Sequence, residues 1–169
     1  MRIQLFPMAA ALVCAAMPFV NAASPSNGAE AAFDKLKTLA GEWEADTSMG
    51  KAHLKYETIA GGTALVDRES VADHPPMMTV YHLDGDRIVL THYCMLGNQP
   101  RMQARGLNAE TGELQFDFLD ATNLTSPAAG HMHNATIRFV DADHIVTSWD
   151  FYENGKRKMT ETAQFTRVR

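Results

Sequence analysis

The sequence predicts an all-β fold: an antiparallel up-and-down barrel of about ten strands, closed or nearly closed, with a short N-terminal helix capping one end. Three observations predict it. Ten short runs of alternating apolar and polar residues follow one another from residue 42 onward. Turn-forming groups punctuate them: Gly61-Gly62, Asp84-Gly85-Asp86, Thr111-Gly112, Asp141-Ala142-Asp143 and Asn154-Gly155. Helical periodicity behind the N-terminal apolar stretch occurs in one place, where Phe33, Leu36 and Leu39 share a face. A meander of this many strands exposes two edges unless it closes, and closure removes both.

Residues 1–22 read as a secretory signal: Arg2 supplies the positive start, Leu5 to Val20 is apolar and uncharged, and Val20-Asn21-Ala22 precedes the expected cut. This implies export, to the periplasm or the extracellular space. Residues 23–30 read as a linker of Ala, Ser, Pro, Asn and Gly, and residues 31–169 as one domain. The helix is expected over 31–40. Strands are expected at 42–49, 52–60, 63–71, 77–83, 87–94, 101–107, 113–119, 131–140, 144–152 and 157–167.

Twenty acidic against 15 basic residues give the 169-residue chain a net charge of −5, and losing Arg2 with the signal makes it more negative. That balance argues against nucleic acid and against an anionic membrane surface as partners. Nothing after the signal is apolar enough to span a bilayer as a helix. Cys14 leaves with the signal. Cys94 is then alone, either buried and reduced or paired between chains. A domain of about 150 residues buries enough surface to need no disulfide.

Strand alternation assigns faces. Ile88, Leu90, His92 and Cys94 share one side, as do His131, His133, Ala135, Ile137 and Phe139. Ile145, Thr147, Trp149 and Phe151 form a third set, and Met159, Glu161, Ala163 and Phe165 a fourth. With the end holding Trp43 taken as the bottom, chain direction brings His92, Arg101, Gln103, His131, His133, Trp149 and Glu161 to the opposite rim. The longer connections, 72–76, 95–100 and 120–130, fall at that rim too, where binding loops are expected. A barrel of more than eight strands is expected to be hollow. Its pocket wall would be Leu90, Phe116, Phe118, Ile137, Phe139 and Trp149.

Gly41-Glu42-Trp43 after a short helix resembles the Gly-x-Trp opening of the calycin group: lipocalins, fatty-acid-binding proteins and the haem-binding nitrobindins. The resemblance implies that Trp43 plugs the barrel base against a basic residue of the last strand, Arg167 or Arg169. The whole chain also resembles a family of exported bacterial proteins of unknown function, through the runs Leu90-Thr91-His92-Tyr93-Cys94 and Gly97-Asn98-Gln99-Pro100-Arg101-Met102. It implies small-ligand binding. Kinship with nitrobindins implies haem on a histidine near the C-terminal strands. No histidine follows His144, which parity puts at the bottom, so that ligand does not carry over; His131 or His133 would have to substitute.

The reading adopted is an exported barrel binding a small apolar or amphipathic molecule in its lumen, with His92, Arg101, Gln103, His131, His133, Trp149 and Glu161 around it. Arg101 is the natural partner for a ligand carboxylate, since its planar fork matches two oxygens. Two alternatives stay open. His131 and His133, two apart on one strand, suit a zinc ion, with His92 or Glu161 completing the set. The rim histidines also suit general acid–base catalysis. No phosphate loop, nucleophile elbow or Cys-x-x-Cys occurs, and binding without a cofactor is preferred to catalysis.

Overall fold

The structure, a computed structural model, describes residues 28–169, so the expected signal and the first part of the expected linker lie outside the described residues. Helix α1 (Gly28–Lys37) is followed by strands β1 (Gly41–Thr47), β2 (Gly50–Ile59), β3 (Ala64–Val71), β4 (Met77–Asp84), β5 (Arg87–Tyr93), β6 (Gln99–Ala104), β7 (Glu113–Thr122), β8 (His131–Phe139), β9 (His144–Glu153) and β10 (Lys156–Arg167). Each strand pairs antiparallel with the next, and β10 pairs with β1, which closes the barrel. The ten-strand reading of the sequence is the observed architecture.

The helix begins earlier than its periodicity predicts. Residues 28–30, expected in the linker, are helical. Ala29, Ala32, Phe33 and Leu36 are buried, with Glu30 in the first turn and Lys35 and Lys37 in the last, each sign matched to the helix dipole. The start of the helix lies against the β6–β7 connection: a Cβ on Gly28 would meet the Arg105 carbonyl oxygen at 3.3 Å. This docking explains a second difference. Strand β6 ends at Ala104 rather than at 107: Arg105 and Gly106 lie against the helix start, and the chain meets β7 again at the Asn108–Glu113 bridge.

The bottom of the barrel is sealed by residues from both ends of the domain. Trp43 is buried, and its indole N–H donates to the Leu39 carbonyl at 2.8 Å. The Arg167 guanidinium lies 4.2 Å from the Trp43 ring centroid, a cation–π stack. Its Nη1 and Nη2 donate to the Ala40 and Thr38 carbonyls, each at 2.9 Å, and Nε donates to the Ala142 carbonyl at 3.2 Å. The carbonyls that follow the helix thus find donors on the last strand. Gly41 is required here: its φ is +128°, and a Cβ would come within 2.9 Å of Arg167 Nη1. The Gly-x-Trp string is a local solution to helix termination and base closure together.

The upper wall is less regular. The β7–β8 ladder runs from Glu113–Arg138 to Phe116–Ala135. Above that pair the two strands go to other partners: Phe118 lies opposite Met102 of β6, and Asn134 opposite Asp150 of β9. Register shifts interrupt β6–β7 between Arg101 and Met102, and β8–β9 between Met132 and Asn134. Bulges of this kind re-aim side chains at barrel rims.

Candidate functional site in a lateral cleft and a polar interior

The single ring of polar groups expected at the rim is divided among three places. The first is the interior. His92 and Glu161 line one small cavity with Glu69, Thr147 and Trp149, and its volume is about 30 Å³. A second cavity, about 10 Å³, is walled in part by Tyr56, Asp67, Glu69 and Tyr81. The wide lumen predicted from strand count is therefore not there. Large aromatic side chains fill it: Trp43, Tyr81 and Phe116 are fully buried, and the Tyr81 and Phe116 rings meet at 5.8 Å. Of the expected wall residues, Leu90 and Phe116 are core, and Ile137 is a core residue that borders only the smaller cavity.

The interior is acidic and short of partners. Asp67 is 5 % exposed and its Oδ1 has no hydrogen-bond partner. His92 is 2 % exposed; Nδ1 lies 3.0 Å from Thr79 Oγ1, Nε2 has no partner, and the ring sits 5.0 Å from that of Trp149. Burial lowers His92 to about 4, so its ring is neutral at pH 7. Burial, and then the Glu161 charge, raise Glu69 to about 7. Burial also raises Glu161, and raises Asp67 well above the usual carboxylate range with the Glu69 charge adding to it.

The second place is a cleft of about 630 Å³ beside the upper ends of β7 and β8, under residues 121–127. It is walled by Phe118, Leu124, Pro127, His131, His133 and Tyr152 among others. The bulge in β8 makes it. Met132 takes the place facing the interior cavity, and the two histidines flank it in the cleft. His133 stacks between Phe118, at 4.3 Å, and Tyr152, at 4.1 Å. His131 Nδ1 is 2.8 Å from the Ala129 carbonyl, and its Nε2 is 3.0 Å from His133 Nδ1. A carbonyl only accepts, so His131 Nδ1 carries the proton. In the neutral ring Nε2 then accepts from His133 Nδ1–H, which leaves His133 Nε2 as a lone-pair acceptor. Burial, then the neighbouring His131, lowers the pKa of His133, with Asp150 opposing.

The third place is the outer wall. Arg101 donates through Nε to Asp120 Oδ1 at 2.6 Å, and through Nη2 to Asp120 Oδ2. Gln103 Oε1 accepts from Arg87 Nη1 at 2.8 Å. Pro100, Met102 and Ala104 are the buried residues of β6, and Arg101 is exposed with Nε and Nη2 engaged.

The three candidate histidines do not share a site, since His92 lines the interior and His131 and His133 the cleft. Among the described residues no group of three or more His, Cys, Asp or Glu is arranged to hold a metal. The haem that the nitrobindin resemblance implies does not fit its family position either. His144 opens β9 at the lower end, exposed, with Nδ1 held by both Asp141 carboxylate oxygens at 2.8 and 2.9 Å. Cys94 is a free thiol, buried, with its pKa raised by that burial. Sequence reasoning missed Asp67 and Glu69. The signal was present: alternation from 65 to 71 puts Leu65, Asp67, Glu69 and Val71 on one face, and two apolar residues bracket the acids.

No protein-family profile matches the sequence, and no curated protein does. Solved structures share the fold. Rv2717c from M. tuberculosis aligns with a TM-score of 0.57 at 14 % identity, over 82 % of this chain and 98 % of its own. A protein of unknown function from the DUF3598 family of Nostoc punctiforme PCC 73102 aligns with a TM-score of 0.53 at 12 % identity. That alignment covers 79 % of this chain and 49 % of the Nostoc protein. At such identities the likeness is one of barrel architecture.

Proposed function

We propose that the protein is an exported, calycin-like barrel that binds a small apolar or amphipathic molecule, seated in the lateral cleft rather than along the barrel axis. The observation that carries the reading is the cleft itself: about 630 Å³, bounded by Phe118, Leu124, Pro127 and Tyr152, with a paired imidazole in its wall. Sites of this size with apolar walls and a few placed polar groups are the usual seat of small ligands. The interior has room for water-sized groups only.

The imidazole pair sets the polarity of the ligand. His131 is committed to the Ala129 carbonyl and to His133, so the pair offers one free acceptor, His133 Nε2. A guest with a hydroxyl or N–H donor on a flat apolar body satisfies it. Arg101 is paired with Asp120, so a ligand carboxylate would have to displace that partner.

Fluorescence titration with 2-naphthol tests this. The expected result is saturable binding, weaker by roughly tenfold for 2-methoxynaphthalene, which lacks the donor, and weaker to the same degree in His133→Ala. Equal affinity for the two naphthalenes, or unchanged affinity in His133→Ala, would remove the cleft from the argument.

A further inference from the structure

We infer that the upper interior of the barrel is a second site, which takes the ammonium head of a small primary amine between the Glu69 and Glu161 carboxylates, with His92 Nε2 as a neutral acceptor. This site is independent of the cleft.

The cavity that Glu69, His92 and Glu161 share is about 30 Å³, the size of one water or one ammonium group. Two side chains more than nine-tenths buried leave a polar atom unmatched beside it: His92 Nε2 in this cavity, and Asp67 Oδ1 in the cavity directly adjoining through Glu69, Thr147 and Trp149. Such orphans are few in native proteins and call for an explanation. Neither cavity is lined by Lys or Arg, so carboxylates, hydroxyls and one imidazole face each other without a cation. The His92 ring is uncharged, and in the tautomer whose Nδ1–H donates to Thr79 Oγ1 its Nε2 carries the lone pair that the site uses. An ammonium supplies three N–H donors and a charge. It imposes no coordination geometry, unlike a metal ion, for which no suitable group exists among the described residues. Trp149 lines the cavity as a cation–π face, and Glu69 and Met77 also border an open cleft of about 360 Å³, where a short tail has room outside the cavity.

The groups that face this site fix its pH dependence. They are Asp67 and Glu69 on β3, Glu161 on β10, His92 on β5, Tyr56 on β2 and Tyr81 on β4, with the Cys94 thiol within reach of the Glu69 charge and His74 of the β3–β4 connection acting on Glu161. The tyrosines and His92 stay neutral, so the carboxyls decide. Binding needs Glu69 and Glu161 ionised. It therefore strengthens as pH rises through about 7 and releases protons below that.

Calorimetric titration with propylamine, at about pH 8 and at about pH 5.5, reads this directly. The expected result is one-to-one binding at the higher pH and a loss of at least tenfold at the lower. Glu69→Gln and Glu161→Gln each lose about tenfold at the higher pH, and propionate does not bind. No heat from propylamine at the higher pH would overturn the assignment, as would unchanged affinity in both variants or propionate binding equally well. Melting temperatures of the two variants show whether they fold, and Glu161, only half-buried, is the safer substitution. Titrating 2-naphthol into the same samples reads the cleft separately, so either reading fails on its own.

Discussion

At the lower end of the barrel, Trp43 donates locally to the Leu39 carbonyl, and Arg167 donates across long stretches of sequence to the carbonyls of Thr38, Ala40 and Ala142. In the interior above, Asp67 Oδ1 and His92 Nε2 meet nothing. Both regions bury polar atoms against aromatic rings. They differ in whether the polar atoms are matched from within the chain. A region matched internally holds the fold together; a region left unmatched costs stability. The helix, the first strand and the last strand belong to the first kind. The face that β3, β5 and β10 turn inward belongs to the second.

The contrast breaks most visibly at Trp43. Replacing it by Ala removes the largest buried side chain of the base, its hydrogen bond to Leu39 and the surface on which Arg167 lies. Such truncations cost about 3–5 kcal/mol. Urea denaturation of Trp43→Ala should show a loss of that size, or a protein that no longer folds. A loss under about 1 kcal/mol would mean that the base does not anchor the barrel.

The interior should respond in the opposite direction. The folded-state pKa of Glu69, about 7, lies above its ordinary value of 4.5. The folded state then binds more protons than the unfolded one between those values, and stability falls as pH rises from about 4.5 to about 7. Glu161 and Asp67 shift the same way and add to the fall. Glu69→Gln keeps the shape and removes the charge, so at about pH 8 it should be more stable than the parent by about 2 kcal/mol, and near pH 4 about equal to it. Denaturation midpoints across that range measure the effect. A variant less stable at the higher pH would show that Glu69 is matched after all, and would erase the contrast between the two regions.

These two regions also differ in how far the sequence exposes them. Strand count, strand order and the closed barrel follow from alternation and turn chemistry, which are local. Trp43 and Arg167 could be put at one end because parity counts hairpins, and each hairpin here is present. Parity fails above Phe116 and Ala135. A single inserted residue at the β8 bulge gives Met132 the interior place, and no composition signal in His131-Met132-His133-Asn134 marks it. The same limit applies to the lumen. Strand number sets the diameter, but whether that space is open depends on which inward positions carry Tyr56, Tyr81, Phe116 and Trp149, and on rotamers that only packing decides. The acids of β3 were legible, since Asp67 and Glu69 alternate in step with the inward Leu65 and Val71.

The outer wall supplies the smallest and most discriminating change. Arg101 and Asp120 form a two-pronged ion pair across β6 and β7, at the point where the register slips. The side chains are 44 % and 48 % exposed, so solvent and salt screen the pair, and its loss should cost under about 1 kcal/mol. Arg101→Ala should therefore leave the denaturation midpoint nearly unchanged at moderate salt. Because the guanidinium is already engaged, 2-naphthol binding should also change by less than about threefold. A larger drop in affinity with little change in stability would mean that Asp120, released from its partner, alters the edge of the cleft it helps to line. The binding surface would then extend from the imidazole pair to the outer face of β6.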